Sequence, residues 1–95
     1  MIERHVTFAV LPDKAAEFEK LFADEYRPAM ASMKGFCAVD LLRREDQPLE
    51  YQMVIRFESA ETAAGWRNSP AHQELKPRLK SLYSQSTLEV FDVIA

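Results

Sequence analysis

The amino-acid sequence predicts an α+β domain of the ferredoxin-like, split βαβ type, in which a four-stranded antiparallel sheet carries helices on one face. Three observations carry that expectation. Period-2 alternation of apolar residues marks strands at both ends of the chain, and apolar spacings of three and four residues mark two helical regions. The resulting order, strand, helix, strand, strand, helix, strand, is the βαββαβ arrangement.

The first strand covers residues 2–10, where Ile2, Val6, Phe8 and Val10 alternate with Glu3, His5 and Thr7. Leu11-Pro12-Asp13 ends it, and Pro12 suits the opening turn of a helix because an N–H there would have no intrahelical partner. Ala15, Phe18, Leu21, Phe22 and Tyr26 then share one helical face, which predicts a helix over 13–26. Pro28 should break or kink it, since proline lacks the N–H and clashes with the preceding turn. A short second piece carrying Met30 and Met33 ends at Gly35.

Residues 36–42, FCAVDLL, place apolar side chains on both parities, the pattern of a strand covered on both faces. A polar turn over 43–48 leads to a third strand, with Tyr51, Met53, Ile55 and Phe57 on one face and Gln52, Val54 and Arg56 on the other. The two strands should pair as a hairpin. Ser59 is suited to N-cap a helix running through Trp66. Ser69-Pro70 starts a further helical segment. It carries Ala71, Leu75, Leu79 and Leu82 on one face as far as Tyr83, with Pro77 as a kink. Thr87 to Ile94 alternates again as the closing strand.

The 95 residues make a single domain, 1–95. Cys37 is the only cysteine, so no disulfide framework exists. A lone thiol in a strand-like run reads as a small buried hydrophobe and fits a reducing, cytoplasmic location. The opening MIERHVTFAV lacks the continuous apolar segment of a signal peptide. No apolar run reaches the roughly 20 residues of a membrane helix. A net charge of −3 without a basic stripe argues against nucleic acid. His5, Cys37 and His72 are far apart and no CxxC, HxH or HExxH spacing occurs, so no metal is expected. Glycine-rich phosphate loops and a GxSxG elbow are also missing.

Two helical regions can cover only one face of four strands. Cys37, Val39, Leu41, Val54, Phe91 and Val93 fall opposite their helix-facing neighbours, which makes the second face too apolar for water. The expectation is a homodimer formed through this open sheet face.

The run FESAETAAGWRNSPAHQELKPRL, residues 57–79, resembles the antibiotic biosynthesis monooxygenase domain family. An aromatic strand end, a Ser-x-Glu helix start, a tryptophan and a Ser-Pro-x-His turn correspond to Phe57, Ser59, Glu61, Trp66, Ser69, Pro70 and His72. Val10-Leu11-Pro12, Met33-Lys34-Gly35-Phe36 and Leu88 to Val93 extend the likeness over nearly the whole chain. The resemblance implies a dimeric α+β barrel whose two sheets pack face to face, with a ligand cavity between sheet and helices in each subunit. It also implies one of several activities, because some members oxidise phenolic polyketide intermediates without metal, flavin or haem, others degrade haem, and fold alone does not choose.

Four residues are candidates for catalysis. Trp66 would wall a pocket and donate its indole N–H to a substrate oxygen or a reduced oxygen species. His72, in the first turn of the helix opened by Pro70, would be held neutral by the helix dipole and act as a base. His5 and Arg56 fall on central strands, where burial would demand partners, so they form an internal network or line the cavity. Each also has a plainer reading: a core aromatic for Trp66, a capping histidine for His72, and structurally satisfied polar groups for His5 and Arg56. Phe22, Met30, Tyr51 and Met53 are the candidate substrate contacts, and Tyr26 and Tyr83 offer further hydroxyls.

The function these residues suggest is cofactor-independent monooxygenation of a small aromatic, phenol-like substrate, with His72 or His5 as base and Trp66 and Arg56 stabilising the anion. No cofactor is expected. The quinone-forming members carry asparagine four residues before the tryptophan, where this chain has Thr62. The haem-degrading branch carries its iron ligand ten residues after the tryptophan, where this chain has Lys76. The alternative is a non-catalytic dimeric domain that binds a small hydrophobic metabolite.

Overall fold

A computed structural model describes all 95 residues. Strands β1 (Ile2–Val10), β2 (Phe36–Arg43), β3 (Glu50–Phe57) and β4 (Tyr83–Asp92) form one sheet in the order β2-β3-β1-β4. Every neighbouring pair is antiparallel. Helices α1 (Ala15–Leu21), α2 (Arg27–Ala31), α3 (Ala60–Arg67) and α4 (Pro70–Lys80) lie on one face. This is the ferredoxin-like α+β fold. No helix is long and apolar enough to cross a membrane.

The core lies between the helices and the even-numbered face of β1. Phe8 pairs across the sheet with Tyr51, and both are buried with Met53, Ile55 and Phe57. Phe18 of α1 is fully buried and packs at 5.2 Å between ring centroids on both Phe8 and Tyr51.

The first helical region does not break at Pro28. A π-helical turn, Phe22–Tyr26, joins α1 to α2, and the Arg27 N–H donates to the Phe22 carbonyl. The wider turn accommodates the proline, which falls at the second position of α2, where a missing N–H is tolerated. α2 ends at Ala31, four residues before the expected Gly35, and after a short turn Gly35, with a φ of +81°, redirects the chain into β2. A β-carbon there would come within 2.5 Å of Thr62, so only glycine allows α3 to approach this closely.

β2 differs from the two-faced strand that its composition suggests. Its register shifts between Phe36 and Ala38, so that Phe36 opposes Phe57, Val39 opposes Ile55 and Leu41 opposes Met53. Cross-strand partners share a face. Val39 and Leu41 therefore face the helices, and Cys37 is the extra residue of a bulge. Its thiol is exposed, not buried, and donates to the Gly35 carbonyl at 3.6 Å. Val93 lies beyond the end of β4. Of the residues expected to make the open face apolar, only Val54 and Phe91 do so. They share it with Glu3, His5, Thr7, Arg56 and Glu89. The apolar argument for covering this face is correspondingly weaker.

β4 begins at Tyr83 and ends at Asp92, four residues earlier and two earlier than its alternation suggests. The register slip between Ala9 and Val10 lets Tyr83 enter the ladder opposite Val10. α4 continues through Pro77 and stops at Lys80, short of the expected Tyr83.

Candidate functional site

Helices α3 and α4 meet at Ser69, and this joint assembles the site. Ser69 is buried, its hydroxyl donates to the Trp66 carbonyl at 2.7 Å, and the same oxygen accepts the His72 N–H at 3.2 Å. One side chain thus closes α3 and N-caps α4. Pro70 follows at the first helical position. The consequence is that Trp66 and His72 meet edge to face with ring centroids 5.0 Å apart. Tyr26, from the π-helical turn, packs edge-on against Trp66 at 5.4 Å and against His72 at 6.3 Å.

These rings form one wall of a cavity of about 400 Å³ between sheet and helices. Arg4, Val6 and Phe8 of β1 and Met53, Ile55 and Phe57 of β3 make its floor, while Arg67, Gln73 and Lys76 stand at its helical side. The volume falls within the range of small-molecule sites. A second concavity of similar volume lies against the Gln47–Glu50 turn, but Glu50 is its only ionisable residue. Two more, of about 380 and 360 Å³, are lined by surface charges paired among themselves, such as Lys20 with Asp24, Arg78 with Glu25 and Arg44 with Glu50. None of these three holds a histidine or a tryptophan.

His72 carries a defined proton arrangement. Its Nδ1 lies 3.0 Å from the Arg67 carbonyl, which can only accept, so Nδ1 bears the hydrogen and Nε2 keeps the free lone pair. Burial pushes its pKa below the ordinary 6.5, and the neighbouring Lys76, Arg4 and Arg67 cations push the same way against the raising effect of the Arg67 carbonyl. Burial likewise pushes the Tyr26 phenol up to about 12, with the Trp66 indole offsetting part of the rise. Tyr26 is thus a proton-bearing hydroxyl and His72 a neutral base at neutral pH.

The other candidates divide. Met53 lines the cavity floor. Phe22 and Met30 are buried in the core without lining the cavity, and Tyr51 turns its hydroxyl to Glu19. His5 and Arg56 lie on the opposite face of the sheet. There His5 Nε2 pairs with Glu3 Oε2 at 2.7 Å, Arg56 Nε donates to Glu3 Oε1 at 3.0 Å, and Phe91 packs on the His5 ring at 4.8 Å. The network expected of them exists, but outside the cavity. Glu3 has its pKa lowered by the His5 and Arg56 hydrogen bonds.

Arg4 occupies the place in the cavity that His5 does not. The signal was present in the sequence: Arg4 shares parity with Ile2, Val6, Phe8 and Val10, an arginine in the middle of an apolar face. Such a residue is placed for a partner, not for packing. Thr62, at the position where quinone-forming relatives carry asparagine, is not a cavity residue. Its hydroxyl accepts from the Ser59 N–H at 3.1 Å, while the Ser59 hydroxyl accepts from the Thr62 N–H at 3.1 Å, a reciprocal cap that opens α3.

Fold and site together define a ferredoxin-like domain with a cavity between its sheet and its helices. The chain belongs to the antibiotic biosynthesis monooxygenase family, whose profile matches residues 1–78. No curated protein matches it in sequence. Among solved structures it is similar to SnoaB, a cofactor-independent oxygenase from Streptomyces nogalater, at 22% identity and a TM-score of 0.89, over 99% of this chain and 93% of that one. Structures bearing the family description from Deinococcus radiodurans (14% identity, TM-score 0.90, 100% and 94% covered) and Caulobacter crescentus (22%, 0.90, 99% and 90%) share the same fold.

Proposed function

We propose that the protein is a cofactor-independent monooxygenase that oxidises a small phenolic substrate in the cavity beside Trp66. The observation that carries this reading is the His72 imidazole, with Nδ1–H held by the Arg67 carbonyl and Nε2 left as a base against a buried aromatic wall. Deprotonating a phenol makes the ring electron-rich enough to reduce O₂ itself. One oxygen atom becomes the new carbonyl oxygen at a ring carbon, and the other leaves as water with two substrate hydrogens. The substrate supplies all four electrons. Trp66 excludes water from the phenolate and offers an N–H to developing negative charge. Arg56, on the far face of the sheet, has no part in this chemistry.

Oxygen uptake with a hydroxylated anthrone tests the proposal. Consumption of one O₂ per quinone, reduced by His72→Gln, is the expected result. Uptake no faster than in buffer would overturn it. One observation favours the alternative, a non-catalytic binding domain. Thr62 is committed to capping α3 and supplies no amide donor next to the tryptophan.

Self-association through the open sheet face is part of the proposal. Phe91 and Leu42 are 44% and 49% exposed there, and β4 is an uncovered edge strand. Sedimentation equilibrium should give twice the chain mass, and a monomer at micromolar concentration would remove this element. A reducing, cytoplasmic setting suits the exposed Cys37 thiol.

A further inference from the structure

Charge is distributed unevenly between this cavity and the rest of the molecule. Overall, 15 Asp and Glu outnumber 12 Lys and Arg. Arg4, Arg67 and Lys76 nevertheless converge on the cavity, and no aspartate or glutamate lines it. Elsewhere some cations are paired, as Arg78 is with Glu25, Arg44 with Asp46 and Glu50, and Arg56 with Glu3, while Lys14, Arg27, Lys34 and Lys80 stand unpaired outside any cluster. Arg4, Arg67 and Lys76 take part in no ion pair. Arg4 Nε is the one buried side-chain nitrogen or oxygen in the protein without a hydrogen-bond partner. An arginine held in this way on an apolar strand face costs stability unless something compensates it.

We infer that the ligand of this cavity carries a carboxylate besides its aromatic body, and that Arg4 on the sheet floor anchors that carboxylate, with Arg67 and Lys76 guiding it in from the rim. The inference rests on the small-aromatic reading given above and narrows it to acids. A planar carboxylate matches the guanidinium fork, which binds it through two parallel N–H donors. Eleven of the 18 lining residues are apolar, so a heavily charged group such as a polyphosphate would leave most of the wall unmatched. A single anionic group on an otherwise apolar ring system suits both parts. Arg67 and Lys76 are exposed, as steering groups at an entrance should be. A developing phenolate alone would not call for three cations.

The test is calorimetric titration, without oxygen, of the whole protein with 6-hydroxy-2-naphthoate and with its methyl ester. The acid is expected to bind at least about tenfold more tightly than the ester. Arg4→Met should abolish that preference while leaving ester binding within about twofold, and Lys76→Met should reduce it by about threefold. Thermal unfolding of both variants checks that they fold. Should Arg4→Met fail to fold, Lys76→Met and a rise from low to high salt carry the test, both weakening the acid and sparing the ester. Equal binding of acid and ester, preference retained in a folded Arg4→Met, or binding of neither compound would overturn the inference. The readout needs no turnover. Selective acid binding without oxygen consumption would therefore retire only the oxygenase reading, and oxygen uptake that ignores the carboxylate would retire only this one.

Discussion

The Trp66 indole and the His72 imidazole meet edge to face with centroids 5.0 Å apart, and the Ser69 hydroxyl holds both of their backbones. The candidate base and the ring that dries its surroundings are therefore a single mechanical unit built at a helix joint. Disturbing the joint should disturb the chemistry.

His72 titrates below its ordinary 6.5 because it is half-buried beside cations. Its folded-state pKa lies under the unfolded one, so the unfolded chain binds the extra proton first as pH falls. Its contribution to stability is complete above pH 6.5 and is lost on acidification through the folded value. Oxygen uptake should be flat above pH 6.5 and fall on the acid side, and His72→Gln should lower it by about 10²–10⁴. The pH profile of kcat/KM, which reports groups of the free protein, checks the first, and His72 chemical shifts locate the pKa directly.

Ser69→Ala removes the N-cap of α4 and the donor to the Trp66 carbonyl. Its expected cost is about 1 kcal/mol, seen as a lower urea midpoint at unchanged m. Trp66→Ala, which empties a site only 2% exposed, should cost about 3–5 kcal/mol and let the His72 pKa return toward 6.5 as water enters.

The two glycines should respond in opposite directions. Gly35→Ala places a β-carbon 2.5 Å from Thr62 at a φ of +81°, and should destabilise by more than about 1 kcal/mol. Gly65 lies in α3 with no atom within 4 Å of an added β-carbon, so Gly65→Ala should stabilise by about 0.5–1 kcal/mol. Paired urea titrations decide it.

Arg56→Met and His5→Gln should leave oxygen uptake within about twofold of the parent, because both side chains lie across the sheet from the cavity. Their effect should appear in acid stability. Glu3 is held below its ordinary 4.5 by these two partners, so its contribution is present above pH 4.5 and fades below it. Urea midpoints between pH 3 and 6 should fall less steeply in either variant than in the parent. A large loss of oxygen uptake in Arg56→Met would return that residue to the site.

The amino-acid sequence alone determined the βαββαβ order, the helix-facing set Tyr51, Met53, Ile55 and Phe57, and the Trp66-to-His72 turn. Each depends on local periodicity or on a cap whose residues lie within a few positions of one another. Arg4 is legible in the same way, as a charge on the apolar parity of β1. Only the tertiary structure decided which faces Val39 and Leu41 occupy, because a bulge at Cys37 is set by pairing with β3 and reverses every later side chain. It alone also decided that Pro28 is absorbed by a π-helical turn and that His5 and Arg56 close on Glu3. These outcomes come from packing and from partners distant in sequence, where no spacing rule reaches.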